Sequence, residues 1–149
     1  MKSYFITRPA EIYFSPIPDS VDWVLRGEGL LYYSETLDKE IKVEPNFITD
    51  LASVPRALWW LYPPSGKYDL ATVLHDWLYW EQTCTFEQAN DVLYESMLVC
   101  GCLPRDAAAF RFACLHGSRG AWDGYTDMND IEKQKRFAKI ICGQIIVQK

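Results

Sequence analysis

The chain has 149 residues, nearly half of them hydrophobic, enough for one domain around one core. Its net charge of −5 and pI of about 5.0 argue against a broad grip on the nucleic-acid backbone, which needs a basic surface. No apolar run approaches the ~20 residues of a membrane helix, and the opening Met1-Lys2-Ser3-Tyr4-Phe5 carries no signal-peptide core, so a cytoplasmic location and no membrane span are expected.

Residues 3–48 read as β structure. Tyr4-Phe5-Ile6-Thr7, Ile12-Tyr13-Phe14, Trp23-Val24-Leu25 and Leu30-Leu31-Tyr32-Tyr33 are β-branched or aromatic clusters. The turn signals between them are Ser15-Pro16-Ile17-Pro18-Asp19, Gly27-Glu28-Gly29 and Leu37-Asp38-Lys39-Glu40. Ile41 and Val43 alternate with polar residues, as in a half-buried strand. This pattern predicts an antiparallel meander of about four short strands.

The character changes at Pro55. A short helix is predicted over 56–61, with Pro55 in its first turn, and Tyr62-Pro63-Pro64-Ser65-Gly66 breaks it. Residues 68–81 read as a helix with Leu70, Leu74, Trp77 and Leu78 at helical spacing. Thr85 and Gln88 form a capping box for a helix with Phe86, Ala89, Leu93, Met97 and Cys100 on one face, and Gly101 stops it. Residues 105–115 form another helix after Pro104. Residues 117–125 read as a glycine-rich loop, 130–142 as a helix with an Asp cap, and 144–148 as a terminal strand. The predicted fold class is therefore α+β: a single domain, 1–149, in which an N-terminal antiparallel β-meander packs against three or four C-terminal helices.

Two segments carry the chemistry. In Leu74-His75-Asp76-Trp77-Leu78-Tyr79, a His and an Asp lie inside an apolar helix, where each polar group needs a partner. Adjacent residues diverge by about 100° on a helix, so His75 and Asp76 divide labour: one is a base, the other a ligand or orienter. Tyr79 shares the neighbourhood of both, at i+4 and i+3. The second segment, Thr49-Asp50-Leu51-Ala52-Ser53-Val54-Pro55-Arg56, gathers a carboxylate, two hydroxyls and a guanidinium at a helix N-terminus, where an anion is favoured. Its competing role is capping by Asp50 and Ser53. Lys67 adds a second cation. Asp91 lies in an i,i+4 stripe with Glu87 and Glu95. That stripe is either a solvated face or the source of a third carboxylate beside Asp50 and Asp76, a set suited to Mg²⁺, Mn²⁺ or Ca²⁺, with His75 also admitting Zn²⁺. His116, the only other histidine, opens the cluster His116-Gly-Ser-Arg-Gly-Ala-Trp-Asp123. The five cysteines, Cys84, Cys100, Cys102, Cys114 and Cys142, are odd in number and lack zinc-site spacing, so reduced thiols are expected.

The run from Phe47 to Arg56, then Gly66-Lys-Tyr-Asp-Leu-Ala-Thr-Val-Leu-His-Asp-Trp-Leu-Tyr79, then Ala89-Asn-Asp91, resembles a phage and prophage family classed as a domain of unknown function. That family carries F-T-D-L-A-S-V-P-R, H-D-W-L-Y and a later A-D. Ile48 adds a residue to the first motif, and Asn90 separates Ala89 from Asp91 in the last. The resemblance implies a viral gene product of the host cytoplasm, in the context of lysis, virion structure or defence evasion. His75-Asp76-x-x-Tyr79 is also similar to the H-D-x-C-Y core of secreted phospholipases A2, in which His activates water and Asp holds Ca²⁺; Leu78 here replaces the cysteine.

The expected function is a small intracellular hydrolase, with a phosphodiester such as a host-defence nucleotide signal as substrate. His75, Asp76 and Asp50 are its catalytic residues. Thr49, Ser53, Arg56, Lys67, Tyr79 and His116 bind a small phosphorylated ligand, and Asp50, Asp76 and Asp91 hold a divalent metal (Mg, Mn, Ca or Zn). The rival expectations are a phospholipase-like acyl hydrolase and a non-enzymatic phage protein that binds a host or virion partner.

Overall fold

In the computed structural model, residues 2–7, 12–50, 66–141 and 143–148 are described. The helix expected over 56–61 lies outside them.

The strand-forming clusters become six N-terminal strands, β1 (Tyr4–Phe5), β2 (Ile12–Pro16), β3 (Trp23–Gly27), β4 (Leu30–Ser34), β5 (Lys39–Val43) and β6 (Ile48–Thr49). Every pairing among them is antiparallel, as expected. They do not form one continuous meander, however. One sheet has the order β1-β4-β5 and a second the order β2-β3-β6. The chain crosses between sheets at Gly27-Glu28-Gly29, where both glycines hold left-handed backbone, φ 85° and 84°. A Cβ on Gly29 would press into the Val43 carbonyl oxygen and against Pro45. Gly29→Ala is therefore expected to destabilise the fold by about 2 kcal/mol or more, through positive φ and steric conflict together, read as a shift in the urea unfolding midpoint.

Five helices follow among the described residues: α1 (Asp69–Glu81), α2 (Phe86–Val99), α3 (Pro104–Gly117), α4 (Arg119–Asp127) and α5 (Asp130–Gln134). The α+β architecture is as the sequence predicts. Thr85 caps α2 through the expected box: its hydroxyl accepts from the Gln88 N–H while the Gln88 side chain accepts from the Thr85 N–H. Two segments depart from expectation. Residues 119–127 are helical rather than a glycine loop, because Trp122 is buried against Tyr79 and Phe86 and a side chain on Gly120 or Gly124 would face only open space. The helix expected over 130–142 is only α5, capped by Asn129 rather than an Asp. The chain then turns into β7 (Lys139–Ile141), which pairs with β8 (Gln144–Ile146), the expected terminal strand. Between α5 and β7 the chain returns to the second sheet: Ile48 N–H donates to the Arg136 carbonyl, and Ala138 N–H to the Asn46 carbonyl.

Helix α1 is the centre of the molecule. Ala71, Thr72, Val73, Leu74, His75, Trp77, Leu78 and Tyr79 are all buried, so nearly its whole circumference is covered, as befits an interior helix. Phe47, fully buried, meets Trp77, Trp80 and Phe137 edge to face; burying such a ring contributes about 2–3 kcal/mol. On the other side, Leu93 and Met97 of α2 pack with Ala107, Phe110 and Cys114 of α3. A polar side chain on the buried faces of α1, such as His75, thus points into protein. No helix among the described residues is long and apolar enough to cross a membrane.

Candidate functional site

His75 and Asp76 diverge as helix geometry requires. His75 faces α2, where its Nε2 lies 3.0 Å from Asn90 Oδ1. Asp76 faces β6, where its Oδ2 accepts from the Thr49 hydroxyl at 2.5 Å. The strand that opens the polar loop therefore meets the helix that bears His75, through Thr49 and Asp76.

The hydrogen bonds around His75 can be given a direction. Ser118 Oγ lies 2.7 Å from the Cys114 carbonyl, which can only accept, so Ser118 donates there. Its oxygen then accepts from Tyr79 OH at 2.6 Å. Tyr79 in turn accepts from Asn90 Nδ2 at 3.1 Å, and the second amide hydrogen of Asn90 goes to the Phe86 carbonyl at 2.8 Å. The amide orientation is thereby fixed, and Oδ1 faces His75, so Nε2 carries the ring proton and Nδ1 the lone pair. Burial pushes the His75 pKa down to about 4, opposed by the Asn90 hydrogen bond and the Asp50 charge, so the ring is neutral at pH 7. Burial likewise pushes Tyr79 up to about 12, against the pull of Ser118 and Asn90. The assembly is one directed relay, His75 to Asn90 to Tyr79 to Ser118 to the α3 backbone.

Around Asp76 the surroundings are ionic. Burial raises the Tyr125 pKa; the Arg136 guanidinium lowers it, and the carboxylates of Asp76, Asp50 and Asp22 raise it. Asp50 itself is exposed. Arg136 lies over the Phe47 ring at 5.6 Å and the Tyr125 ring at 5.8 Å.

The remaining expected members are elsewhere or outside the described residues. Asp91 turns away from His75 and forms a two-pronged pair with Arg111 of α3, Nε and Nη2 each 2.6 Å from Oδ1. Glu95 reaches the β4–β5 turn, taking hydrogen bonds from Tyr32 and Thr36. The acidic stripe is therefore neither simply solvated nor a ligand set with Asp50 and Asp76: it ties α2 to α3 and to the first sheet. No group of three His, Cys, Asp or Glu side chains suited to a metal forms among the described residues. Lys67 donates to the Gly101 carbonyl at 2.9 Å, linking the start of α1 to the end of α2. His116 is exposed and lies against Phe112. Ser53 and Arg56 fall outside the described residues. Cys84, Cys100, Cys102 and Cys114 are free thiols, as expected.

Sequence reasoning missed Asn90, Ser118, Tyr125 and Arg136. Asn90 had a readable signal: it sits at i+4 from Phe86 and i−3 from Leu93, a polar residue on the apolar face of α2.

Fold and site together define an α+β protein with a neutral histidine locked in a buried polar relay, back to back with a carboxylate held by a threonine. The chain belongs to the family described as protein of unknown function (DUF1353), whose model matches residues 14–111. The matched span contains Thr49, His75, Asp76 and Asn90, and ends before Ser118, Tyr125 and Arg136. No curated protein and no solved structure matches the chain.

Proposed function

We propose that this protein is a small hydrolase of ester bonds, in which His75 Nδ1 takes a proton from water and Asp76, with Asp50, holds a divalent cation against the substrate. The observation that carries the reading is the paired restraint of His75 and Asp76. Each is fixed by its own partner, about 100° apart around one buried helix, with the imidazole in a single neutral tautomer. A base must be deprotonated and oriented before it meets water; burial keeps the ring neutral and the Asn90 contact orients it. The cation, one of Mg²⁺, Mn²⁺, Ca²⁺ or Zn²⁺, would supply charge neutralisation for the anion formed in the reaction.

The leading substrate class is a phosphodiester, such as a nucleotide signal consumed by a phage protein that evades host defence. A second reading, acyl-ester hydrolysis as in phospholipases A2, is favoured by the meeting of His75 and Tyr79 on one Asn90, since those two residues carry that likeness.

The test is incubation of the purified protein with linear and cyclic nucleotides, phospholipid vesicles and cell-wall fragments, with and without each cation. Asp76→Asn, which keeps an acceptor for Thr49, and His75→Gln are expected to lose about 100-fold or more in rate. Asp76→Asn is expected to unfold within about 1 kcal/mol of the wild type. No turnover with any cation, together with stoichiometric retention of a host or virion protein on the immobilised chain, would establish the non-enzymatic rival instead.

A further inference from the structure

We infer that Arg136 is the oxyanion-holding residue of this site, and that the ligand it takes bears a phosphate group. The inference deepens the hydrolase reading by naming what the substrate must carry. Its first support is an orphan: the Arg136 Nε is buried and has no hydrogen-bond partner. A buried donor left unmade costs about 1–3 kcal/mol, more for a charged group, so a fold keeps one where something else completes it.

The second support is contrast. Arg111 is spent on Asp91, and Arg119 on Asp123 and Glu87. Arg136 forms no ion pair among the described residues. Its guanidinium is held in place by something other than charge. Here the holders are the Phe47 and Tyr125 rings and the backbone, whose carbonyl takes the Ile48 N–H at 2.7 Å. That register puts Arg136 beside β6, one residue from Thr49 and its bond to Asp76. The fork is thus fixed before any ligand arrives, and little ordering remains to be done on binding.

The planar fork of Nε and Nη suits two oxygens of one phosphate. Asp50 and Asp76 would hold the cation of the proposed reading, and Arg136 would hold the phosphate.

The experiment is titration of the full chain with inorganic phosphate, dimethyl phosphate and acetate, each with and without Mg²⁺ or Ca²⁺, followed by calorimetry and phosphorus NMR. The wild type is expected to bind both phosphates and to prefer them to acetate. Arg136→Met is expected to lose about tenfold or more in phosphate affinity. Arg136→Lys, which keeps the charge and the aromatic seat, should fold even if Arg136→Met does not, and should bind several-fold more weakly than the wild type. Equal phosphate binding by the wild type and Arg136→Lys, no binding by the wild type, or acetate bound as well as phosphate overturns the inference. Phosphate binding lost in the variants with no substrate turned over by any form sustains it while removing the hydrolase reading. Turnover of a phosphodiester unchanged in Arg136→Met removes the inference and leaves the hydrolase.

Discussion

Replacing Asn90 with alanine is expected to lower the stability of the fold by about 3 kcal/mol, the largest effect of any substitution in the polar relay. Asn90 is fully buried and serves three partners at once. The Phe86 carbonyl keeps its helical bond and Tyr79 keeps Ser118, so the loss concentrates on His75 Nε2. Its proton would be stranded in the interior at about 1–3 kcal/mol, and the vacated amide adds a cavity. Urea unfolding monitored by tryptophan fluorescence measures the change. A loss under about 1 kcal/mol would mean that the relay is slack and that the His75 tautomer is not fixed by Asn90.

Acid is expected to weaken the wild-type fold by about 3 kcal/mol between pH 6.5 and pH 4 through His75 alone. In the folded chain burial holds this imidazole neutral down to about pH 4, whereas its ordinary value is 6.5. Below 6.5 the unfolded chain takes up a proton that the folded chain refuses, so unfolding gains with every step toward acid. The stabilisation is complete above pH 6.5, falls through the interval, and is gone once the pH passes below the folded value. The gap between 6.5 and about 4 converts to about 3 kcal/mol. Carboxylates titrate near the lower end of this window, so the informative quantity is the difference between the wild type and His75→Gln. The variant should show the flatter profile; parallel profiles would sink the claim. Asn90→Asp should also flatten the profile, since a carboxylate facing Nε2 favours the protonated ring.

Much of this was legible in the chain because local chemistry and tertiary packing agree there. Thr85 and Gln88 satisfy each other's backbone within one turn, so the start of α2 depends on nothing distant. His75 and Asp76 stand out because polar groups in an apolar helix need partners, and Asn90 and Thr49 supply them. What escaped was set from afar. Gly117, Gly120 and Gly124 advertise a loop, and α4 exists because Trp122 finds Tyr79 and Phe86 across the molecule. Arg136 stands in the run Lys133-Gln-Lys-Arg136, which reads as a solvated helix face; only its pairing with β6 turns it inward. Asp91 draws the eye by its carboxylate, while its neighbour Asn90 reads as a spacer. One helical position separates the residue that braces α3 from the residue that orients His75.

The return of the chain at 136–138 to the strand at 46–48 also sets a timetable. These segments lie roughly ninety residues apart in sequence, yet they exchange backbone hydrogen bonds and enclose Phe47. Closing so long a loop is entropically slow, and contacts of this range are made late in folding. The helices α1 to α3, joined by short turns, have no such delay. A nascent chain would thus hold His75, Asn90 and Tyr79 together while Thr49 and Arg136 still waited for each other. The histidine would be assembled first, and the charged face of the site would be the last part of the molecule to mature.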